Sequence, residues 1–286
     1  MSDLQAQFES IILAGERPGG SKLSQAFNVS ASVMVPVAGK PALAHVIDAI
    51  KASSGVNCGI ICGPTAVIVA NDPDLQSVLR DSNHQWLEQA TGPASSALLA
   101  LQKSDHYPKL LTAGDHALLG SEIITDFCQQ ASSKASAEHE AESPGEHSGY
   151  DFVIGLVPYE LVKAAWPFSK RTVLKFSDGE FCGSNLFAVI NSQGRNALAF
   201  WQQAEADRKQ PWKIARRFGL MALLRYLFRR LSLDTALQSL SGLAGCRIGF
   251  VQLDYARAAV DVDSVEDQQL AERILSSADI DQSLQA

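Results

Sequence analysis

Apolar positions along this chain fall into short unbroken runs, separated by stretches where they recur every three or four residues. Ser10–Ala14 (SIILA) is such a run and stops at Gly15; Cys58–Cys62 (CGIIC), Lys109–Ala113 (KLLTA) and Asp151–Val157 (DFVIGLV) are others. Continuous apolar runs of this length mark strands covered on both faces. Phe181–Asn191 and Arg247–Leu253 read as later strands. Pro41–Ala52 carries Leu43, Val46, Ile47 and Ile50 behind an initial proline, the spacing of a helix. Pro93–Gln102 opens a further helix and Val265–Leu275 a closing one. Strands alternating with helices predict an α/β sheet with helical cover.

Composition narrows the class. The chain has 286 residues, 46% hydrophobic and 19% charged, enough for a large buried core and wrong for disorder or a disulfide scaffold. No apolar run reaches the roughly 18–20 residues that span a bilayer. The opening MSDLQAQFES lacks the features of a signal peptide. The five cysteines are odd in number and scattered, without a CxxC pair. They imply a reducing, cytoplasmic setting without structural zinc. A net charge of −7 argues against nucleic acid as a partner. Ala131–Gly149 is rich in Ser, Ala and Glu and offers almost nothing to bury, so it reads as a mobile insertion. His139 and His147 within it read as solvated.

The chemistry gathers behind the first strand. SIILA runs into Gly15-Glu16-Arg17-Pro18-Gly19-Gly20-Ser21-Lys22. Glycines let backbone N–H groups approach anionic oxygens, and Arg17 and Lys22 add charge, which together suit a phosphate cradle. The loop fits neither the Walker pattern nor the dinucleotide fingerprint. An ordinary surface loop remains open on glycine content alone.

The following segments carry a resemblance. Leu13-Ala14-Gly15 with Arg17 is followed by Pro36, Gly39, Lys40 and Pro41 leading into a helix. Thr112-Ala113-Gly114-Asp115-His116 follows a core strand, Gly183-Ser184-Asn185-Leu186-Phe187 comes next, and Asp261-Val262-Asp263-Ser264-Val265-Glu266-Asp267 precedes the last helix. In this order the pieces resemble the MobA-like NTP transferases and the wider sugar-phosphate pyrophosphorylase superfamily of GT-A-fold nucleotidyltransferases. The chain is most similar to a bacterial subgroup reading LAGxRPGG. The resemblance implies a three-layer α/β fold with a mostly parallel, twisted, Rossmann-like sheet. It implies one domain over 8–278, with Asn196–Ala244 as an added helical portion.

It also implies a reaction: an NMP group passes from an NTP to a phosphorylated alcohol or sugar, and pyrophosphate leaves. Mg²⁺ would be the cofactor, held by Asp115 and Asp263. Arg17, Lys22 and Asp115 would carry catalysis. Leu13, Ala14, Gly15, Gly92, Pro93 and Ser96 would hold the nucleotide, and Lys175, Gly183 and Asn185 the acceptor. The partners are then an NTP and a phosphorylated small molecule. Two other readings stay open, a molybdopterin guanylyltransferase-type enzyme and a catalytically weak nucleotide-binding protein, and the chain departs from the family's pattern at one place. The family places a phosphate-contacting lysine near the position of Ser32, and a hydroxyl brings no charge; Lys22 or Lys40 would have to replace it. Arg208–Arg230 holds eight cations and no carboxylate. An amphipathic helix packed on the domain is the usual fate of such a segment. Contact with an anionic membrane is the other.

Overall fold

The structure, a computed structural model, describes residues 7–136, 149–207 and 228–283. Strand β1 (Phe8–Leu13) lies in the middle of the sheet and is followed by a short helix α1 (Lys22–Ala26). A 3-10 turn (Ser32–Met34) and the two-residue strands β2 (Pro36–Val37) and β3 (Lys40–Pro41) lead into helix α2 (Ala42–Ala52). Strand β4 (Val56–Gly63), helices α3 (Ala66–Asn71) and α4 (Pro73–Asp81) and strand β5 (Gln85–Glu88) complete one side. Helix α5 (Pro93–Leu101) crosses to strand β6 (Lys109–Ala113), and helix α6 (Ser121–Ser136) to strand β7 (Phe152–Pro158). Helix α7 (Tyr159–Ala165), strands β8 (Leu174–Lys175) and β9 (Glu180–Val189), and helix α8 (Arg195–Asp207) come next. Helix α9 (Leu233–Ala244), strand β10 (Ile248–Gln252) and helix α10 (Val265–Ser283) close the chain.

The sheet order is β10-β7-β9-β6-β1-β4-β5, with β8 paired to β9. Strand β1 runs parallel to β4 and β6, β4 to β5, and β7 to β10, whereas β9 is antiparallel to β6 and β7. The expected mostly parallel sheet is present, with β9 reversed inside it. That reversal puts the start of β9 at the edge where the parallel strands end, since Phe181 to Gly183 pair with Pro158 to Leu156.

Helices cover both faces. On one, Leu43, Val46 and Ile50 of α2, Leu75 of α4, and Ile124 and Phe127 of α6 pack against Ile12, Ile61 and Val153 of the sheet. On the other, Ala97 and Leu101 of α5, Leu198 of α8 and Leu237 of α9 pack against Ile11, Ile60, Leu111 and Phe152. The apolar spacing of α2 therefore does what it predicts: Leu43, Val46 and Ile50 are wholly buried. Each contributes roughly 1.5–3 kcal/mol by leaving water. The β1–β4 register shifts between Glu9 and Ile11. Gly59 makes the shift affordable, because a β-carbon there would stand 2.3 Å from the Ser10 carbonyl oxygen.

Beneath the sheet, at the opposite end from the loop after β1, Lys109 is fully buried and its Nζ lies 2.6 Å from Glu9 Oε2. Ser104 Oγ donates to the same oxygen at 2.7 Å.

The first six residues of the segment expected as a mobile insertion, Ala131 to Ser136, are helical. α6 continues to Ser136, and Ala131 is buried in the core. Residues 137–148 lie outside the described residues. The chain on either side of them is pinned, with the Tyr150 N–H donating to the Lys134 carbonyl at 3.4 Å. A β-carbon on Gly149 would overlap the Ala135 carbonyl at 1.7 Å, so only glycine fits. The helical addition expected over Asn196–Ala244 is represented by α8 and α9; residues 208–227, most of the basic segment, lie outside the described residues. Among the described residues no helix is long and apolar enough to cross a membrane.

Candidate active site

Chain reversal around β1 sets the location. The chain moves from β1 to β4 on one side and returns through α5 to β6 on the other, so the ends of β1 and β6 flank a switch in strand order. Ligands in open α/β sheets gather in such crevices. Ala14 and Gly114 leave these strands side by side, with the Gly114 N–H donating to the Leu13 carbonyl at 2.8 Å. Leu13 is half-buried and Ala14 fully buried, so their contribution to a ligand is backbone shape.

Beyond Ala14 the loop is held by side chains that composition alone does not reveal. Gln89, at the end of β5, grips the Glu16 peptide from both sides: its Oε1 accepts the Glu16 N–H and its Nε2 donates to the Glu16 carbonyl, each at 2.6 Å. The Glu16 side chain turns inward and is 5% exposed. One carboxylate oxygen accepts the Arg17 N–H at 2.8 Å, and the other accepts the Ser32 N–H. Arg17 is exposed, has no ion pair among the described residues, and lies near enough to Asp263 to favour its charged form. Lys22 is the exposed first residue of α1, behind the Ser21–Ser24 capping box. Lys40 is tied to Asp48 of α2. A cavity of about 580 Å³ opens on the β4 side of the loop, between Arg17, Gln25, Asn28, Thr65 and Gln89.

Asp115 follows β6. Its Oδ1 is buried and has no hydrogen-bond partner. Burial, with the charges of Asp261 and Asp263, pushes its carboxyl up to about 8. The carboxyl of Asp263 is also raised, by loss of solvent and then by Asp261 and Asp267. The turn carrying Asp261 and Asp263 is fastened to Asp115 by the Val262 N–H, which donates to the Asp115 carbonyl at 3.1 Å. Asp261 is engaged elsewhere. Arg171, with a side chain 6% exposed, donates to its Oδ1 at 3.0 Å and reaches Asp267 as well. Asn185 Nδ2 donates to Asp261 Oδ2 at 3.1 Å from a left-handed backbone conformation at φ 54°. So Asn185 lies in the crevice, but its amide nitrogen serves the closing turn. Gly183 is exposed at the start of β9, and Lys175 lies outward of it, 3.7 Å from Glu180. His116 is buried behind Asp115. Burial lowers it to about 4, so its ring is neutral at neutral pH. The carbonyls of Arg257 and Ala258 face it without completing a hydrogen bond.

At the other end of the crevice, Gly92 and Pro93 begin α5. Ser96 Oγ accepts the Ala90 N–H at 2.9 Å and so shapes the turn before the helix. The Glu205 carboxylate of α8 lies against Gly92 and accepts the Ala94 N–H at 3.4 Å. The structure thus brings Leu13–Gly15, Arg17, Asp115, Asp263 and Asn185 to one sheet edge. Lys22 and Lys175 stand at its periphery.

The donor set suits a hard divalent cation. A buried carboxylate oxygen without a partner, beside further carboxylates that raise its pKa, is a place where positive charge is needed. Among the described residues no group of three or more His, Cys, Asp or Glu forms a ready cage. Magnesium does not require one, since it is typically held by one or two carboxylates with water and substrate phosphate.

The family description "MobA-like NTP transferase domain" matches residues 10–153, half of the chain, from β1 to the start of β7. The chain belongs to this family. MobA-like NTP transferases are nucleotidyltransferases, so the protein is an enzyme of that class. A solved structure of a hypothetical transferase from Thermus thermophilus is similar, with 26% identity and a TM-score of 0.71 over 92% of this chain and 99% of that one. A CMP:2-keto-3-deoxy-manno-octonic acid synthetase complexed with CTP shares the fold at 11% identity and a TM-score of 0.57, covering 96% of this chain and 100% of that one. The 4-diphosphocytidyl-2C-methyl-D-erythritol synthase of Anaerococcus prevotii shares it at 11% identity and a TM-score of 0.52, over 94% and 99% of the two chains. No curated protein is significantly similar in sequence.

Proposed function

We propose that this MobA-like enzyme binds an NTP with Mg²⁺ in the crevice between the loops after β1 and β6. There it transfers the NMP group to a phosphorylated alcohol or sugar. The observation that carries the reading is the buried, unpartnered Asp115 oxygen beside the Asp263 turn, at the switch in strand order.

An acceptor phosphate oxygen forms a bond to the α-phosphorus, and the bond from the α-phosphorus to the bridging oxygen of pyrophosphate breaks. The nucleophile arrives as an anion, so no side chain has to remove a proton. The burden on the protein is positioning and charge neutralisation. Arg17, a cation without an ion pair among the described residues, holds the β- and γ-phosphoryl oxygens. Asp115 and Asp263 hold the cation, which when bound neutralises phosphate charge. The backbone of Leu13–Gly15 and the turn at Gly92–Ser96 receive the nucleoside, and the open backbone of Gly183 with Asn185 lines the acceptor end. Both carboxylate oxygens of Asp261 are already taken by Arg171 and Asn185, so it would hold the turn and not the cation.

The test is a panel of the four NTPs with phosphorylated acceptors, in the presence and absence of Mg²⁺, followed by pyrophosphate release. Turnover with one NTP and one acceptor class supports the reading. Turnover only with molybdopterin and GTP replaces it by the guanylyltransferase reading. Tight NTP binding with no turnover on any acceptor replaces it by a binding protein. Within an active system, Arg17→Ala is expected to weaken NTP binding by about 1.5–3 kcal/mol, roughly ten- to a hundredfold in Kd, as a charged hydrogen bond is lost. Calorimetric titration of both proteins checks this, and an unchanged Kd removes Arg17 from the phosphate site.

A further inference from the structure

The Glu16 side chain is unusual for a loop read as an anion cradle. It is a buried carboxylate bonded through both oxygens to backbone N–H groups, one on its own loop at Arg17 and one across the gap at Ser32. It is not there by chance of a loose loop. Gln89 fixes the Glu16 peptide at both its N–H and its carbonyl, which aims the side chain inward. The Ser32 N–H it takes belongs to a segment whose neighbour Val33 packs against Gly114, next to Asp115. A carboxylate oxygen and a phosphoryl oxygen make the same demand on an amide N–H, that of an anionic acceptor. Two anions do not share one donor pair in a half-dry crevice, where their repulsion is only weakly screened.

We propose that Glu16 is a resident anion in the phosphate loop and determines the affinity of the site: the polyphosphate of the substrate binds by displacing its carboxylate from the Arg17 and Ser32 N–H groups. This rests on the nucleotidyltransferase reading of the crevice. The displaced carboxylate swings toward the adjoining cavity, whose wall already includes Glu16 and the polar side chains of Gln25, Asn28 and Thr65. Binding therefore exchanges one anion for another. Glu16 thus sets a threshold that a ligand with several linked phosphoryl groups passes and a single phosphate does not.

Calorimetric titration with magnesium pyrophosphate, magnesium phosphate and the four magnesium NTPs tests this on the wild-type protein and on Glu16→Gln. The glutamine is close in size, keeps one acceptor oxygen and removes the charge. Pyrophosphate binding to the variant is expected to tighten by about tenfold, and phosphate, weak or undetectable on the wild type, is expected to gain measurable affinity. A brace that merely shapes the loop gives the opposite sign, weaker binding in the variant. Unchanged or weaker pyrophosphate binding, with NTP binding intact in the wild type, overturns the role of Glu16 and leaves the nucleotide reading standing. No binding of any NTP or of pyrophosphate to either protein overturns both. Should Glu16→Gln not fold, Glu16→Ala, which removes both the charge and the acceptor oxygens, is decided by the same criteria.

Discussion

Asp115→Asn is expected to abolish turnover, by at least about a thousandfold, because on the proposed mechanism several kcal/mol of charge stabilisation at the reacting phosphate would depend on a cation bound by Asp115. The same change is expected to stabilise the metal-free protein. The Asp115 carboxyl is raised to about 8 by burial and by Asp261 and Asp263. An unfolded aspartate releases its proton near pH 4. Between about pH 4 and pH 8 the folded state holds a proton that the unfolded state gives up, so stability falls as pH rises through that window. Asparagine has no proton to release. In chelator-treated buffer the variant should melt several degrees above the wild type at pH 8, and the gap should narrow toward pH 4. Adding Mg²⁺ should raise the melting temperature of the wild type only. Retained activity in D115N would remove the metal assignment, and a variant less stable at every pH would show that the carboxylate is held by a bond rather than left without one.

A second large effect is expected far from the crevice. Glu9→Ala strips the fully buried Lys109 ammonium of its only carboxylate partner among the described residues. Burial raises the Glu9 carboxyl, but the bonds from Lys109 and Ser104 outweigh it and hold the group below its usual value. Breaking such a pair from one side leaves an uncompensated charge and costs about 3–5 kcal/mol. Urea unfolding should show this, with catalysis of the folded fraction unchanged. Removing both charges in Glu9→Leu with Lys109→Met should recover most of the loss, since an apolar pair does not need the bond. A loss below about 1 kcal/mol in the single variant would mean that water reaches Lys109.

The core was legible where apolar runs were long. Lys109–Ala113 is a strand at the residues the pattern predicts, and α2 starts within one residue of its proline. β5 was missed because it is short and marginal, with only Trp86 and Leu87 half-buried in it. The reversal of β9 was invisible too, since a strand covered on both faces has the same composition in either direction. In the site, Arg17, Asp115 and Asp263 were singled out by the order of the motifs that carry the resemblance and not by residue type, since glycine turns and aspartate helix caps after strands are common. The motifs did not mark Glu16, which in sequence is one more charged residue in a polar loop. Its burial comes from Gln89 and Ser32, 73 and 16 residues away. Arg171 was not legible either, since its partners Asp261 and Asp267 lie 90 and 96 residues on.

The bond from the Val262 N–H to the Asp115 carbonyl joins residues from opposite halves of the chain, and the family description that matches this protein ends before Val262. Contacts so distant in sequence form late, after local strands and helices have closed the shorter loops. A terminal segment can also detach at less cost than unfolding the sheet. Each such opening would carry Asp263 away from Asp115 and empty the cation site while the rest of the molecule stayed folded. Cation affinity would then act as a clasp on the last helix, and protease sensitivity of α10 should fall as Mg²⁺ is added.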